Sequence, residues 1–247
     1  MKYVGSKAKH AKYILPLILE RREVDQWYIE PFAGGFNTIM KVDGYRIAND
    51  IDPYITGLFR AVNNGWIPPD SVTEEQYNFV NKHKDYIHDN LVGFVGYGCS
   101  FAGKFFGGYA RGNDKDGKPR NYAAESRRNI LKQFANQDPS WPDLIITTGD
   151  YKRTWFPENE QVIVYCDPPY QGTQGYRNTI DYDEFWDWCT NLGDEGHQVF
   201  VSEYSIPSEY AARFEVVWQK EVHNTLDLNT GGKSGVEKLY KYMGSNR

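Results

Sequence analysis

The sequence predicts an α/β fold built on a doubly wound, mostly parallel sheet, and two observations support this prediction. Short apolar segments, each about the length of a buried strand, alternate with segments of helical periodicity along the 247-residue chain. Gly, Asp and Pro residues cluster where these apolar segments end, and open α/β sheets bind ligands at the carboxyl ends of their strands. With 40% hydrophobic residues, a chain of this length can bury a substantial core.

The predicted strands determine where each motif lies in the fold. Apolar segments followed by turn residues predict the parallel strands, and an alternating pattern near the C-terminus predicts a final antiparallel pair. The parallel strands are predicted at residues 27–30, 45–48, 143–147, 161–166 and 197–202, and the antiparallel pair at residues 214–218 and 236–242.

Three apolar stripes at helical spacing predict helices that pack on this sheet. The first stripe, from Ala11 to Leu19, contains Pro16. Because proline lacks a backbone donor, this residue predicts a kink or a fresh start. The other two stripes run from Ile130 to Phe134 and from Phe185 to Leu192.

Composition excludes several classes of protein. No apolar run approaches the length that crosses a bilayer, and the N-terminus lacks the apolar region and cleavage site of a secretory signal. The three cysteines, Cys99, Cys166 and Cys189, include no C-x-x-C pair, which argues against a disulfide framework and against a zinc site. We therefore expect a reduced cytoplasmic protein with no membrane partner and no metal.

Charge is distributed unevenly along the chain. The net charge is −5, yet residues 1–22 carry six basic residues and one acidic residue, and residues 104–132 carry eight basic and three acidic residues. Both segments are therefore basic in an acidic chain. Folding could gather them into one face for nucleic acid, or they could be two solvated helix surfaces, which charge runs commonly are.

Residues 66–143 interrupt the alternation of strands and helices. Within them, residues 93–112 interleave aromatic, glycine and basic residues. Glycine permits a close approach of the backbone to a ligand, and arginine suits phosphates and guanine edges. This segment is either a recognition insert or an aromatic subdomain with glycine turns, and composition alone slightly favours the second.

The most specific motif follows the strand at residues 161–166. That strand ends directly in Asp167, Pro168, Pro169 and Tyr170. Two prolines stiffen the turn and leave carbonyl oxygens available as acceptors. A carboxylate, a rigid carbonyl and an aromatic ring together suit a planar amino group such as the exocyclic amine of a base. A plain strand-ending turn with a core tyrosine explains this combination less well.

The sequence resembles the Dam-like DNA adenine-N6 methyltransferases, which use S-adenosylmethionine and are of the D-P-P-Y type with the alpha-class motif order. Besides D-P-P-Y, the matching motifs are Lys-Tyr-Val-Gly-Ser-Lys at residues 2–7, Glu-Pro-Phe-Ala-Gly-Gly at residues 30–35, Asn49-Asp50, Gly149-Asp150-Tyr151, and residues 229–233 followed by 237–240. They occur in the family's order from Tyr3 to Tyr240. The match is weakest in the insert.

The resemblance implies a Rossmann-like catalytic domain of residues 1–65 and 144–247, with a mostly helical target-recognition insert of residues 66–143. Its cofactor would be S-adenosylmethionine. The implied cofactor residues are Tyr3, Lys7, Phe32, Gly34, Gly35, Asp50, Tyr151 and Asp167.

Several of these cofactor residues have a second interpretation from the sequence. Asp50 stands where an acid binds ribose hydroxyls after a glycine loop, but it could equally cap a helix. Lys7 could pair with the cofactor's carboxylate or be an exposed helix lysine. Tyr3 and Phe32 could pack on the cofactor or belong to the core.

The implied activity is methyl transfer to the N6 amine of a flipped-out adenine in duplex DNA. Asp167 and the Pro168 carbonyl would accept the two N–H bonds of the amine, and Tyr170 would stack on the base. The implied DNA contacts, all in the N-terminal segment or the insert, are Lys2, Lys104, Tyr109, Arg111, Arg120 and Asn121.

Alternative functions remain open at this stage. The same acceptors fit the N4 amine of cytosine or an adenine in RNA, and a non-catalytic DNA-binding protein could have this fold. A nicotinamide-dependent dehydrogenase would lack its full G-x-G-x-x-G motif here. We expect a cytoplasmic, nucleoid-associated protein of a bacterial or phage-infected cell, which acts either alone or beside a cognate restriction endonuclease.

Overall fold

A computed structural model describes residues 1–138, 141–142, 144–170, 180–223 and 234–244. Within these residues seven strands form one sheet in the order β3-β2-β1-β4-β5-β7-β6. All neighbouring strands are parallel except β7, which is antiparallel to both β5 and β6. The strands are β1 (Tyr28–Glu30), β2 (Arg46–Asp50), β3 (Ile145–Thr148), β4 (Ile163–Cys166), β5 (Gln198–Glu203), β6 (Phe214–His223) and β7 (Ser234–Tyr242).

Helices cover both faces of the sheet, so the doubly wound α/β fold predicted from the sequence is confirmed. On one face, α1 packs with Tyr28, Tyr165 and Leu239 of the sheet. On the other face, α6 packs with strand residues such as Val164. The helices are α1 (Ala11–Ile18), α2 (Pro53–Asn63), α3 (Glu74–Lys82), α4 (Asp89–Gly93), α5 (Tyr122–Ala135) and α6 (Tyr182–Asp194).

Helix α1 runs through Pro16 as one element, so the predicted fresh start at this residue is wrong. Pro16 removes one backbone donor, and the carbonyl that would have accepted from it belongs to Lys12. Both residues lie on the exposed side of the helix, where water can replace the lost bond. The buried side, with Ile14 and Ile18, packs undisturbed.

The predicted insert shares its hydrophobic core with the sheet. Tyr77 and Phe94 of this segment are buried in the same cluster as Tyr28. The C-terminal end of α5 is tied to the loop after β1. Gln133 of the helix donates to the Phe36 carbonyl at 3.3 Å, and Gln137, just beyond the helix, donates to the Met40 carbonyl at 2.8 Å. The boundaries of the insert as a separate recognition unit, residues 66–143, stay a prediction. Asp143, the last residue of that range, lies outside the described residues.

The strand order places the ends of four strands beside one another. The order runs outward from β1 in one direction and from β4 in the other, so the crossover point of the sheet lies between these two neighbours. Loops after β1, β2, β3 and β4 meet at this edge, where α/β folds bind their ligands. Among the described residues, no helix combines the length and the apolarity that a membrane span requires.

Strand β1 ends in a buried glutamate. The Glu30 carboxyl accepts hydrogen bonds from the Tyr28 and Thr38 hydroxyls, each at 2.8 Å. Burial raises the pKa of Glu30 from 4.5 to about 8. Between these two values the folded protein holds a proton that the unfolded chain releases, so this group makes the free energy of unfolding fall as the pH rises.

We predict that Glu30→Gln flattens the pH dependence of stability. Glutamine mimics the protonated carboxyl, so the variant loses a slope of at most about 1.4 kcal/mol per pH unit between roughly pH 5 and pH 8. Urea unfolding of both proteins across this range measures the slopes. Parallel slopes would show that folding does not raise the pKa of Glu30.

Candidate active site

A cavity of about 350 Å³ lies at the carboxyl ends of β1 to β4. This volume is within the range of small-molecule sites in proteins. The cavity is lined by the N-terminal segment, by the loops after these four strands and by part of the insert. All eight predicted cofactor residues line the cavity: Tyr3, Lys7, Phe32, Gly34, Gly35, Asp50, Tyr151 and Asp167.

The glycine loop after β1 is packed against the N-terminal segment. Gly34 has a φ of +47°, and a Cβ atom there would lie 2.8 Å from the ring of Tyr3. A Cβ atom at Gly35 would lie 2.7 Å from the Cβ of Tyr3. Both glycines are therefore required so that Tyr3 can form one wall of the cavity.

The Asp50 carboxylate holds two adjacent loops together. It accepts from the Gly34 amide at 2.8 Å and from the Asp52 amide at 2.9 Å. The cap of α2 is Asp52, which accepts from the Tyr54 amide, so the alternative interpretation of Asp50 as a helix cap is wrong. Burial raises the pKa of Asp50 to about 6, and hydrogen bonds to its charged form oppose that shift.

An aromatic cluster forms the wall on the β3 side. The rings of Phe32 and Tyr151 stack at 5.1 Å, and Phe185 and Trp188 of α6 contact the Tyr151 ring by their edges. The Tyr151 hydroxyl is buried and has no hydrogen-bond partner among the described residues. The same holds for the Nδ2 atom of Asn37, a cavity residue that the sequence analysis did not select.

Asp167 lies where β4 ends, and its partner is Lys7. The Lys7 ammonium is 2.8 Å from Asp167 Oδ1, and the Lys7 side chain is 7% exposed. Lys7 is therefore not an exposed helix lysine, and in this structure its charge is paired with Asp167. Its pairing with the cofactor's carboxylate stays a prediction. Burial raises the pKa of Asp167 to about 6, while Lys7 acts in the opposite direction.

The turn after Asp167 is held from two sides. The Tyr182 hydroxyl at the start of α6 donates to the Pro169 carbonyl. Tyr170 is buried, with the Lys7 ammonium 4.4 Å above its ring and Tyr204 against it at 4.6 Å. Pro168 is buried too. Stacking of Tyr170 on a base stays a prediction, and it requires the ring face that Lys7 does not cover.

Most of the predicted DNA contacts already have partners within the protein. Arg111 pairs with Glu74, and Arg120 forms a two-bond ion pair with Glu125. The Asn121 side chain caps α5 through the Ala124 amide and donates to the Asp70 carbonyl, and the Tyr109 hydroxyl donates to the Val72 carbonyl. The two ion pairs reduce the free basic charge of the insert.

Two predicted lysines are positioned differently from these arginines. Lys104 is exposed at the rim of the cavity. Lys2 is exposed as well, with its ammonium 5.8 Å from the Tyr122 ring.

Besides Asn37, sequence reasoning missed three further residues at the site. Tyr182 supports the turn after β4, Glu237 of β7 lies 3.6 Å from the Lys7 ammonium, and Tyr97 of the insert donates to the Asp52 carboxylate. Each is distant in sequence from the group it contacts, so no local pattern marks it. The late loop at residues 229–233 lies outside the described residues. No group of metal-ligating side chains occurs among those that the structure describes.

Comparison with known proteins identifies the family. The family model of D12 class N6 adenine-specific DNA methyltransferases matches residues 3–95 and 104–225. The chain belongs to this family. The fold is thus that of a methyltransferase, and the cofactor of the protein is S-adenosylmethionine. A search of curated proteins finds no match.

Solved structures of low sequence identity also match. PH1948 from Pyrococcus horikoshii, a candidate RNA methyltransferase, is 11% identical with a TM-score of 0.43, over 98% of this chain and 86% of that one. SMU.472, a candidate methyltransferase complexed with SAH, is 13% identical with a TM-score of 0.42, over 98% of this chain and 53% of that one. The candidate methyltransferase yhhF from Escherichia coli is 11% identical with a TM-score of 0.37, over 96% and 86% of the two chains.

The residues around the cavity fit this cofactor. The Phe32–Tyr151 wall suits an adenine ring, and the Asp50 carboxylate suits ribose hydroxyls. The buried Nδ2 of Asn37 and the buried hydroxyl of Tyr151, both without partners among the described residues, offer donors in a cavity that polar ligand groups could use.

We predict that Asp50→Ala weakens S-adenosylmethionine binding by about 1.5–3 kcal/mol, the value of a hydrogen bond to a charged group. Calorimetry on the variant measures the loss, and thermal unfolding verifies that the variant is folded. The control is Asp43→Ala, at an acid that is 66% exposed and pairs with Arg22 away from the cavity. Equal affinities in a folded Asp50→Ala variant would remove Asp50 from the cofactor site.

Proposed function

We propose that the protein is a site-specific DNA methyltransferase that acts on the N6 amine of an adenine flipped out of duplex DNA. One observation carries this proposal: the Asp167 carboxylate stands on the cavity wall, at the end of β4 and at the start of a rigid Pro-Pro turn. An acceptor in this position can hold an exocyclic amine beside the cofactor.

The amine needs such an acceptor because its lone pair is delocalised into the adenine ring, which makes it a poor nucleophile. Asp167 and the Pro168 carbonyl would accept its two N–H bonds and favour a more pyramidal nitrogen. S-adenosylmethionine, when bound, supplies an electrophilic methyl group. The protein's own contribution is to position the amine and to supply fixed negative charge where positive charge develops.

The depth of Asp167 in the cavity and the exposed lysine at its rim support a nucleic-acid substrate. Because Asp167 is only 19% exposed, a base must leave the stack to reach it. Lys104 at the rim is placed to contact the phosphates on either side of that base. We further propose a nucleoid-associated, cytoplasmic enzyme of a bacterial or phage-infected cell, acting alone or with a cognate restriction endonuclease.

The direct test is to incubate the protein with labelled S-adenosylmethionine and duplex DNA and to analyse the nucleosides of the product. We expect N6-methyl-2′-deoxyadenosine from the DNA. N4-methylcytosine, or transfer to RNA alone, would contradict the proposed substrate while leaving the methyltransferase family intact.

We predict that Asp167→Asn reduces the rate of methyl transfer by about 10²–10³, the scale of one lost electrostatic contact at a catalytic site. The Lys7 ammonium would attract the amide oxygen of the new side chain, so its NH₂ group would face the substrate amine and repel it. Single-turnover transfer with saturating cofactor and DNA measures the rate. Asp43→Asn serves as the exposed control, and full activity of Asp167→Asn would exclude the mechanism.

We also predict that Lys104→Gln lowers DNA affinity and reduces the salt dependence of log K by about 0.9, as expected for one phosphate contact. Fluorescence anisotropy with a duplex at several salt concentrations measures both quantities. Lys220→Gln, at an exposed residue of the edge strand β6, is the matched control. If the two variants behave alike, the DNA does not approach the cavity at Lys104.

A further inference from the structure

One ammonium group and two carboxylates, from three distant parts of the chain, meet behind the catalytic turn. The Lys7 ammonium lies 2.8 Å from Asp167 Oδ1 and 3.6 Å from Glu237 Oε1. The side chains of Lys7 and Glu237 are each 7% exposed. Burial of a glutamate at this depth is unusual unless its charge is paired, so its position requires an explanation.

Two further contacts hold Lys7 in this position. The Tyr170 ring lies 4.4 Å from the ammonium, and the Gly5 carbonyl accepts from it at 3.5 Å. On the far side of Glu237, its Oε2 atom is 3.8 Å from His10 Nε2, and the His10 ring packs on Trp218 at 5.5 Å. Glu237 therefore lies between His10 on one side and Lys7 on the other.

The charges of this cluster do not cancel. Burial lowers the pKa of His10, so the imidazole is neutral at neutral pH, and the single ammonium faces two carboxylates. An ammonium paired with Asp167 alone would neutralise it and weaken it as an acceptor. Sharing the ammonium with Glu237 leaves an excess of one negative charge, and Asp167 is the carboxylate that faces the cavity.

We propose that Glu237 is a positioning residue for methyl transfer: acting through Lys7, it holds the Asp167 carboxylate in place and keeps the ammonium from neutralising that carboxylate fully, so that Asp167 stays a strong acceptor for the substrate amine. The proposal rests on the proposed function, because it assumes that Asp167 receives the amine. It assigns a role to β7, the strand that lies antiparallel to its neighbours. Glu237 itself does not contact the reacting atoms.

The groups around Asp167 decide the direction of the expected effects. Those that influence it are Lys7, Glu237, Tyr170, Tyr165 and Glu30. Glu30 holds its proton at neutral pH because burial raises its pKa to about 8. Lys7 lowers the pKa of Asp167 and Glu237 raises it, so removal of one or the other charge must shift the Asp167 titration in opposite directions.

The experiment compares the wild type with Lys7→Met, Glu237→Gln and the control Glu215→Gln, which alters an exposed glutamate of β6. Two quantities are measured. One is the titration of the Asp167 carboxyl in the protein without cofactor, by ¹³C NMR with the signal assigned from Asp167→Asn. The other is the pH profile of the single-turnover rate.

We expect Lys7→Met to raise the Asp167 midpoint by about one pH unit or more, with the acid limb of the rate moving by the same amount. Glu237→Gln should lower that midpoint and reduce the rate on the alkaline plateau several-fold. Glu215→Gln should alter neither quantity. In a Lys7→Met background, Glu237→Gln should leave the plateau rate unchanged, because the group through which it acts is gone.

An unchanged Asp167 midpoint and plateau rate in Glu237→Gln would overturn the proposal, and so would shifts of the same sign in the two single variants. If Lys7→Met does not fold, the Glu237→Gln titration and rate decide alone. If the wild type transfers no methyl group to DNA, the proposed function fails. The NMR titration in the absence of cofactor still shows whether Glu237 and Lys7 control the charge of Asp167.

Discussion

The largely buried ion pair between Lys7 and Asp167 joins the N-terminal segment to the Pro-Pro turn after β4, and the wall of the cavity depends on it. Residues 1–10 precede the first strand, yet they cross the carboxyl edge of the sheet and supply Tyr3 and Lys7 to the cavity wall. Burial of both charges is costly, and loss of one partner from such a pair typically costs about 3–5 kcal/mol. The pair is thus better explained by its position at the site than by any gain in stability.

The same edge of the sheet is organised by hydrogen bonds that cross between loops. Asp50 fixes the Gly34 amide after β1 and the Asp52 amide before α2. Asp52 in turn accepts from the Tyr97 hydroxyl of the insert. The cofactor side of the cavity and the insert are therefore connected through two carboxylates.

The insert is less of a free basic surface than its composition indicates. Glu74 and Glu125 neutralise Arg111 and Arg120, and the Asn121 side chain is hydrogen-bonded to the backbone as the cap of α5. Its aromatic residues pack largely on one another, as in the contacts of Tyr77 with Phe106 and Tyr109. The segment is an aromatic-packed unit that presents Lys104 at the cavity. Its role in target recognition stays a proposal.

The sequence by itself determined the α/β class, the approximate position of every strand, and the loops that carry Gly34, Asp50 and Asp167. These features are local: apolar periodicity identifies a buried strand, and a D-P-P-Y or glycine motif is contiguous in the chain. Only the tertiary structure decided the partner of Lys7, the capping of α2 by Asp52, and the roles of Tyr182 and Glu237. These contacts join residues from separate elements, and their geometry arises only when the sheet brings the ends of its strands together.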